Sequence, residues 1–224
     1  MVYQIIKSKS RVFVETLILT ILILIIGIAI GFYIESYRAN KIIQDYKDFE
    51  VSVLDLKLQN YYYQTMDNAS CKIALQNNLV FADNIYKKGL LLEKYEESSQ
   101  LSDSRVLLNE KKQYVLLKTE LWMNSVILKK KCENPFHTIV YVYSQNPSVA
   151  KQSEQAAISE VLKQIKLEKG NDVILIPIAG DLGLDSVTMQ LQTYNITYLP
   201  SIIVDEEHVL QGFHNIGQIH EALS

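Results

Sequence analysis

The chain is short of the residues that interrupt regular structure. It has 4 prolines and 8 glycines in 224 residues. Between Tyr37 and Ser125 there is no proline and a single glycine, Gly89. That excludes a many-turned fold there and points to long helices. Cysteine is scarce too. Of the two, Cys71 and Cys132, neither belongs to a C-x-x-C pair. No histidine–cysteine cluster has metal-ligand spacing, so no metal site and no cofactor is expected. Nor does one sign of charge dominate. Lys+Arg 22 against Asp+Glu 25 leaves a net charge of -3. Without a basic stripe, a nucleic-acid partner is not expected.

What is present begins with an apolar run. From Leu17 to Ile34 the chain reads LILTILILIIGIAIGFYI, without a charge. About 18 or more such residues match the hydrocarbon core of a bilayer, and a helix satisfies its own backbone there. We expect a transmembrane helix over 12–34. Lys7, Lys9 and Arg11 precede it, with no acidic residue before Glu15, whereas acidic residues follow it. The positive-inside bias puts 1–11 in the cytoplasm and the rest outside the cell membrane, as a single-pass protein. A cleaved signal peptide is the rival reading. Its apolar region would be shorter, and Ser36 and Ala39 make a poor cleavage site. Gly27 and Gly31 have the spacing that lets two membrane helices approach, so a homodimer through that face is open.

Residues 35–133 carry helical periodicity. Ile42, Tyr46, Phe49, Val53 and Leu56 recur at steps of three and four, and similar sets follow from Ile73 and from Val106. Breaks are expected at 65–70 and 97–103, with Asp67 or Asn68 and then Ser102 or Asp103 as N-caps. The first helix would continue to about Met66. The next two would span about 69–97 and 103–131, forming a long antiparallel helical hairpin or coiled stalk. If they turn near 99–101, Cys71 and Cys132 lie almost equally far from the turn. A disulfide at that open end closes a loop of about 60 residues, contributing roughly 4 kcal/mol in the chain-entropy model. Two free thiols, or a redox pair, are the alternatives. Lys129, Lys130 and Lys131 read as the basic end of a helix, favourable to its dipole.

After Pro135 the rhythm changes. His137–Tyr143 is rich in β-branched and aromatic residues and reads as a strand. A helix follows, with Pro147 in its first turn, running to about Glu168 and stopped by Gly170. Asp172–Ile178 is a second strand, Leu184–Tyr194 a helix, Ser201–Val204 and His208–Phe213 two further strands, and Ile216–Leu223 a last helix. The turn at Asp205, Glu206 and Glu207 is short and acidic. The order is β-α-β-α-β-β-α, which implies a parallel pair with a right-handed crossover and a closing hairpin. The fold class is therefore α plus α/β.

That order, with Tyr198-Leu199-Pro200 directly before Ser201-Ile202-Ile203-Val204 and then Val209-Leu210-Gln211-Gly212, resembles the thioredoxin fold over residues 136–224. The resemblance implies a cis-proline at Pro200. It also implies a groove for extended peptides, lined by Ser144, Gln145, Asn146, Pro147, Tyr198, Leu199 and Pro200. The family's C-x-x-C is missing. Pro147 and Ala150 stand at those positions, and without a thiolate there is no nucleophile for disulfide exchange.

The expected function is that of a membrane-anchored, extracytoplasmic thioredoxin-like protein lacking redox cysteines. It would bind a protein or peptide, or serve as an assembly factor. The alternatives are a thiol-disulfide oxidoreductase of the cell envelope, and a sensory or scaffold protein working through its helices. Asn68-Ala69-Ser70 and Asn195-Ile196-Thr197 fit the N-glycosylation pattern. His208, His214 and His220 read as surface histidines. Asp181 and Asp185, around Gly183, read as turn and cap residues.

Overall fold

The structure is a computed structural model that describes residues 9–65, 71–98, 104–133 and 136–224. The expected caps at 67–68 and 102–103, the turn at 99–101, the triplet 68–70 and the side chains of Lys7, Lys9 and Arg11 lie outside the described residues. The chain divides into two compact units, Met1–Asp55 and Leu56–Ser224.

The first unit is helical. It holds most of α1 (Lys9–Thr65), including an apolar span Val12–Ile34 of 23 residues with no side chain buried. This helix is long and apolar enough to cross a membrane. Thr16 and Thr20 donate their hydroxyls back to carbonyls one turn earlier, so neither leaves a polar group unpaired in the span.

In the second unit, α2 (Cys71–Ser98) and α3 (Ser104–Lys131) pack along each other. Cys71 meets Cys132, Asn78 meets Ser125 and Lys88 meets Glu110, so partners draw together in sequence toward the 99–103 connection. That is an antiparallel hairpin, in the register expected from the cysteines. Ala74, Phe81 and Ile85 of α2 and Val115, Leu121 and Leu128 of α3 are buried. At Gly89 a Cβ would fall 2.8 Å from Cζ of Tyr114, so the one glycine of this stretch marks where an aromatic ring crosses the hairpin. The last turns of α1 join the pair. Lys57 lies 3.8 Å from Glu120, Gln59 accepts from Asn77 at 2.7 Å, and Lys131 donates to the carbonyl of Tyr63.

The C-terminal part follows the expected order closely. It comprises β1 (His137–Tyr143), α4 (Val149–Lys169), β2 (Val173–Ala179), α5 (Asp185–Thr193), β3 (Ser201–Val204), β4 (His208–Gln211) and α6 (Ile216–Ala222). A 3-10 turn, Gly170–Asp172, which the sequence did not suggest, leads into β2. The sheet order is β2-β1-β3-β4, with β1–β2 parallel and the other pairs antiparallel. Pro177 is tolerated in β2 because β2 is an edge strand.

Strand alternation sorts the core into two layers. Ile139, Tyr141, Val173, Ile202 and Val204 face Ile158, Leu162 and Ile165 of α4 and Ile219 of α6. Thr138, Val140, Val142 and Ile203 point to the other face, where α3 and α5 lie. Trp122 of α3 stacks on Tyr194 at 5.3 Å, and Lys129 of α3 reaches Thr138 at 3.2 Å. The hairpin's second helix is thus packed on the sheet rather than standing off as a spacer.

Candidate functional site

Two loops of the expected groove come together at Gly180. Its amide donates to the carbonyl of Tyr143 at 2.8 Å. A Cβ there would lie 2.9 Å from Cγ1 of Val142 and 3.1 Å from Cδ1 of Leu199. Only a glycine lets the end of β1 and the loop before β3 approach this closely.

On one side is the connection from β1 to α4. Pro147 does not enter the helix as expected. α4 starts at Val149, and Ser148 is its N-cap without a side-chain bond. The reason is that residues 144–145 are held elsewhere. Asp181 accepts from the Ser144 hydroxyl at 2.5 Å and from the Gln145 amide at 2.7 Å. Gln155 accepts from the Ser144 amide at 2.9 Å and donates to its carbonyl at 3.2 Å. Asn146 is exposed, and Ala150 is an exposed residue in the first turn of α4.

On the other side, the peptide bond Leu199–Pro200 is cis. Pro200 is buried, and its carbonyl accepts from Gly212 at 2.9 Å. Oε1 of Gln211 gathers the Thr197 amide at 3.1 Å and the Tyr198 amide at 3.0 Å, fixing the loop to β4. Tyr198 is exposed but oriented. Its hydroxyl donates to Glu154 at 2.9 Å, and the Lys151 ammonium lies 4.6 Å from its ring centre. The bond to Glu154 pushes the phenol above its ordinary range. Among the described residues, neither the amide nor the carbonyl of Leu199 takes part in a hydrogen bond.

All seven expected groove residues therefore lie on these two loops, but three residues that fix them were not picked out for that role. Asp181, expected as a turn residue, ties down the tip of β1. A short acidic turn next to a glycine was the only available signal. Gln155 and Gln211 act over 11 to 14 positions and leave no local pattern.

A second polar cluster joins the basic end of α3 to the acidic turn after β3, both where they are expected. The Lys129 side chain is 8% exposed, with Nζ 2.6 Å from Asp205 and 3.0 Å from Glu206. The sequence did not suggest that the helix end and the turn pair with each other. The Trp122 indole donates to Glu206 at 3.0 Å, the Thr138 hydroxyl donates to Glu206 at 2.7 Å, and the Thr138 amide donates to Asp205 at 2.8 Å. The His137 ring lies 2.6 Å from the other oxygen of Asp205. Burial pushes the Asp205 carboxyl up. The bonds from His137, Lys129 and Thr138 outweigh that and hold it below the usual carboxylate range.

The cysteines stand apart from both loops. Their sulfurs are at disulfide distance, 2.03 Å, with Cα atoms 5.7 Å apart, at the end of the helical hairpin. Among the described residues, no group of three or more His, Cys, Asp and Glu side chains could hold a metal ion. His214 faces the Gly212 carbonyl at 3.2 Å, His220 lies 3.1 Å from Glu168, and His208 is exposed on β4. Compared by sequence, the chain matches neither a protein-family model nor a curated protein.

Proposed function

We propose that this chain is a membrane-anchored, extracytoplasmic thioredoxin-like protein that binds an extended segment of a protein partner and does no disulfide chemistry. The observation that carries the reading is the unbonded backbone of Leu199. It lies on a cis-proline loop beside the exposed ring of Tyr198. A free N–H and C=O on one residue are what an incoming strand pairs with, and neighbouring side chains then select the sequence. The element order, the sheet order and the cis bond support the thioredoxin-like assignment. The apolar span Val12–Ile34 supports the anchor. The residues at the tip of β1, Ser144 to Pro147, offer hydroxyl and amide groups but no thiol.

The test uses the full chain in lipid nanodiscs, panned against a phage library of random dodecapeptides. An enriched peptide should bind tenfold or more weakly when the one backbone amide facing Leu199 is N-methylated, since that removes a single pairing group. Tyr198→Ala should weaken it as well. A flat N-methyl scan, or no enrichment over empty nanodiscs, would sink the groove reading.

A further inference from the structure

We propose that the cavity between α3, α4 and the β1–β2 side of the sheet binds a small monocarboxylic acid with an apolar body, its carboxylate set on the Lys118 ammonium. The argument starts from burial. Lys118 is 5% exposed, in a helix that packs on both the hairpin and the sheet. A buried amine keeps its proton only against a counter-charge or dense hydrogen bonding, so a bound carboxylate would restore the charge that burial disfavours. Among the described residues, no carboxylate lies within ion-pair distance of it. Its one partner among the described residues is the ring of Tyr114, 4.0 Å from Nζ. A ring face is a weak substitute for an anion.

Lys118 also lines a cavity of about 460 Å3, within the size range of small-molecule sites. The strand register explains its shape. Tyr141 pairs with Pro177 across the parallel ladder, so both side chains share the face that carries Tyr143 and Leu175. These four form the sheet-side wall, and Gln152 stands on the α4 side. Among the described residues no acidic side chain lines the cavity, and Lys118 is the one cation there. The Tyr141 hydroxyl is already used, donating to the Gln155 carbonyl at 3.2 Å.

The ligand chemistry follows from this lining. A lone lysine is a point charge that balances one negative charge. It lacks the bidentate fork that favours a phosphate dianion. Two aromatic rings, a leucine and a proline ask for an apolar body. Thus the complement is an acid of one carboxylate and a compact apolar body. None of the seven expected groove residues lines the site, which shares only the anchor Gln155 with the loop at the tip of β1.

The probes are 3-phenylpropionate and its neutral isostere 3-phenylpropanamide, titrated calorimetrically into the full chain in nanodiscs. The acid should bind at least tenfold more tightly than the amide. Lys118→Met should erase that preference. Ala156→Trp, which fills the cavity and leaves Lys118 itself unchanged, should abolish binding of both and serves as the check if the lysine variant misfolds. Equal binding of acid and amide, no binding of the acid at millimolar concentration, or a preference surviving in Lys118→Met would each overturn the proposal.

Discussion

Replacing Lys129 with methionine removes one charge and keeps the stem. In the folded chain that charge sits between two carboxylates, 2.6 Å from Asp205 and 3.0 Å from Glu206. Breaking a buried pair from one side costs about 3–5 kcal/mol, because the remaining charge is left poorly solvated. Here neither carboxylate is abandoned. Asp205 keeps the His137 ring and the Thr138 amide, and Glu206 keeps the Trp122 indole and the Thr138 hydroxyl. The loss should therefore fall at the lower end, about 3 kcal/mol. For a chain of this size that is on the order of 6–12 °C in Tm. Making the carboxylates neutral as well, in Lys129→Met/Asp205→Asn/Glu206→Gln, should recover more than half of it. The coupling then appears as non-additivity. The assay is urea unfolding of the full chain in detergent micelles, followed by the emission of Trp122, the only tryptophan. Its ring stacks on Tyr194 and bonds Glu206, so it reports on this cluster. A loss under about 0.5 kcal/mol would give the cluster the worth of an exposed ion pair. That result, or a triple variant no better than the single one, would refute the reasoning.

Two further outcomes are expected. Cys71 and Cys132 are 61 positions apart, so Cys71→Ser/Cys132→Ser should lose about 4 kcal/mol in the same urea assay. Iodoacetamide should label neither thiol in the unreduced protein, and labelling of both would break the pairing. Burial holds the Lys118 amine down at about 7, against an ordinary 10.5. Between those values the unfolded chain binds a proton that the folded chain lacks, so stability should rise with pH across that window. Lys118→Met should flatten the rise, and an equal slope in both proteins would place the titration elsewhere.

Much of the fold was legible because its elements are locally consistent. His137–Tyr143 and Ser201–Val204 were read to the residue, since β-branched and aromatic runs bounded by turn signals leave little else to form. The hairpin register followed from the symmetry of two cysteines about a break. What was missed was missed for one physical reason. Lysine, glutamate and glutamine carry the same letter whether solvated or buried, and their partners here lie 76 and 77 positions away for Lys129. Periodicity marks which face of a helix is apolar. It does not reveal that the face ends in a lysine aimed at a turn in another element. The loops at 144–147 and 198–200 are singled out by resemblance to a fold, and their anchors Asp181, Gln155 and Gln211 are not, because an anchor can come from any side chain of the right reach.

The turn between β3 and β4 carries a consequence for how the chain is divided. Asp205 and Glu206 both adopt positive φ, 51° and 64°, where asparagine and glycine are the usual residues of such hairpins. A glutamate there costs about 1–2 kcal/mol in backbone energy. Two carboxylates in that conformation, half-buried beside a lysine and an indole of α3, make sense only if the helix and the turn stabilise each other. Trp122 is 2% exposed and Lys129 7% exposed because the sheet covers them. Deleting residues 136–224 would therefore not leave an intact helical hairpin. It would uncover an indole and an unpaired ammonium, and a lost activity would follow from either part. The informative way to separate the roles is at Leu199 and Tyr198, where the proposed groove can be altered 20 Å or so of chain away from the clamp, at about 3.3 Å per extended residue between Leu199 and Asp205.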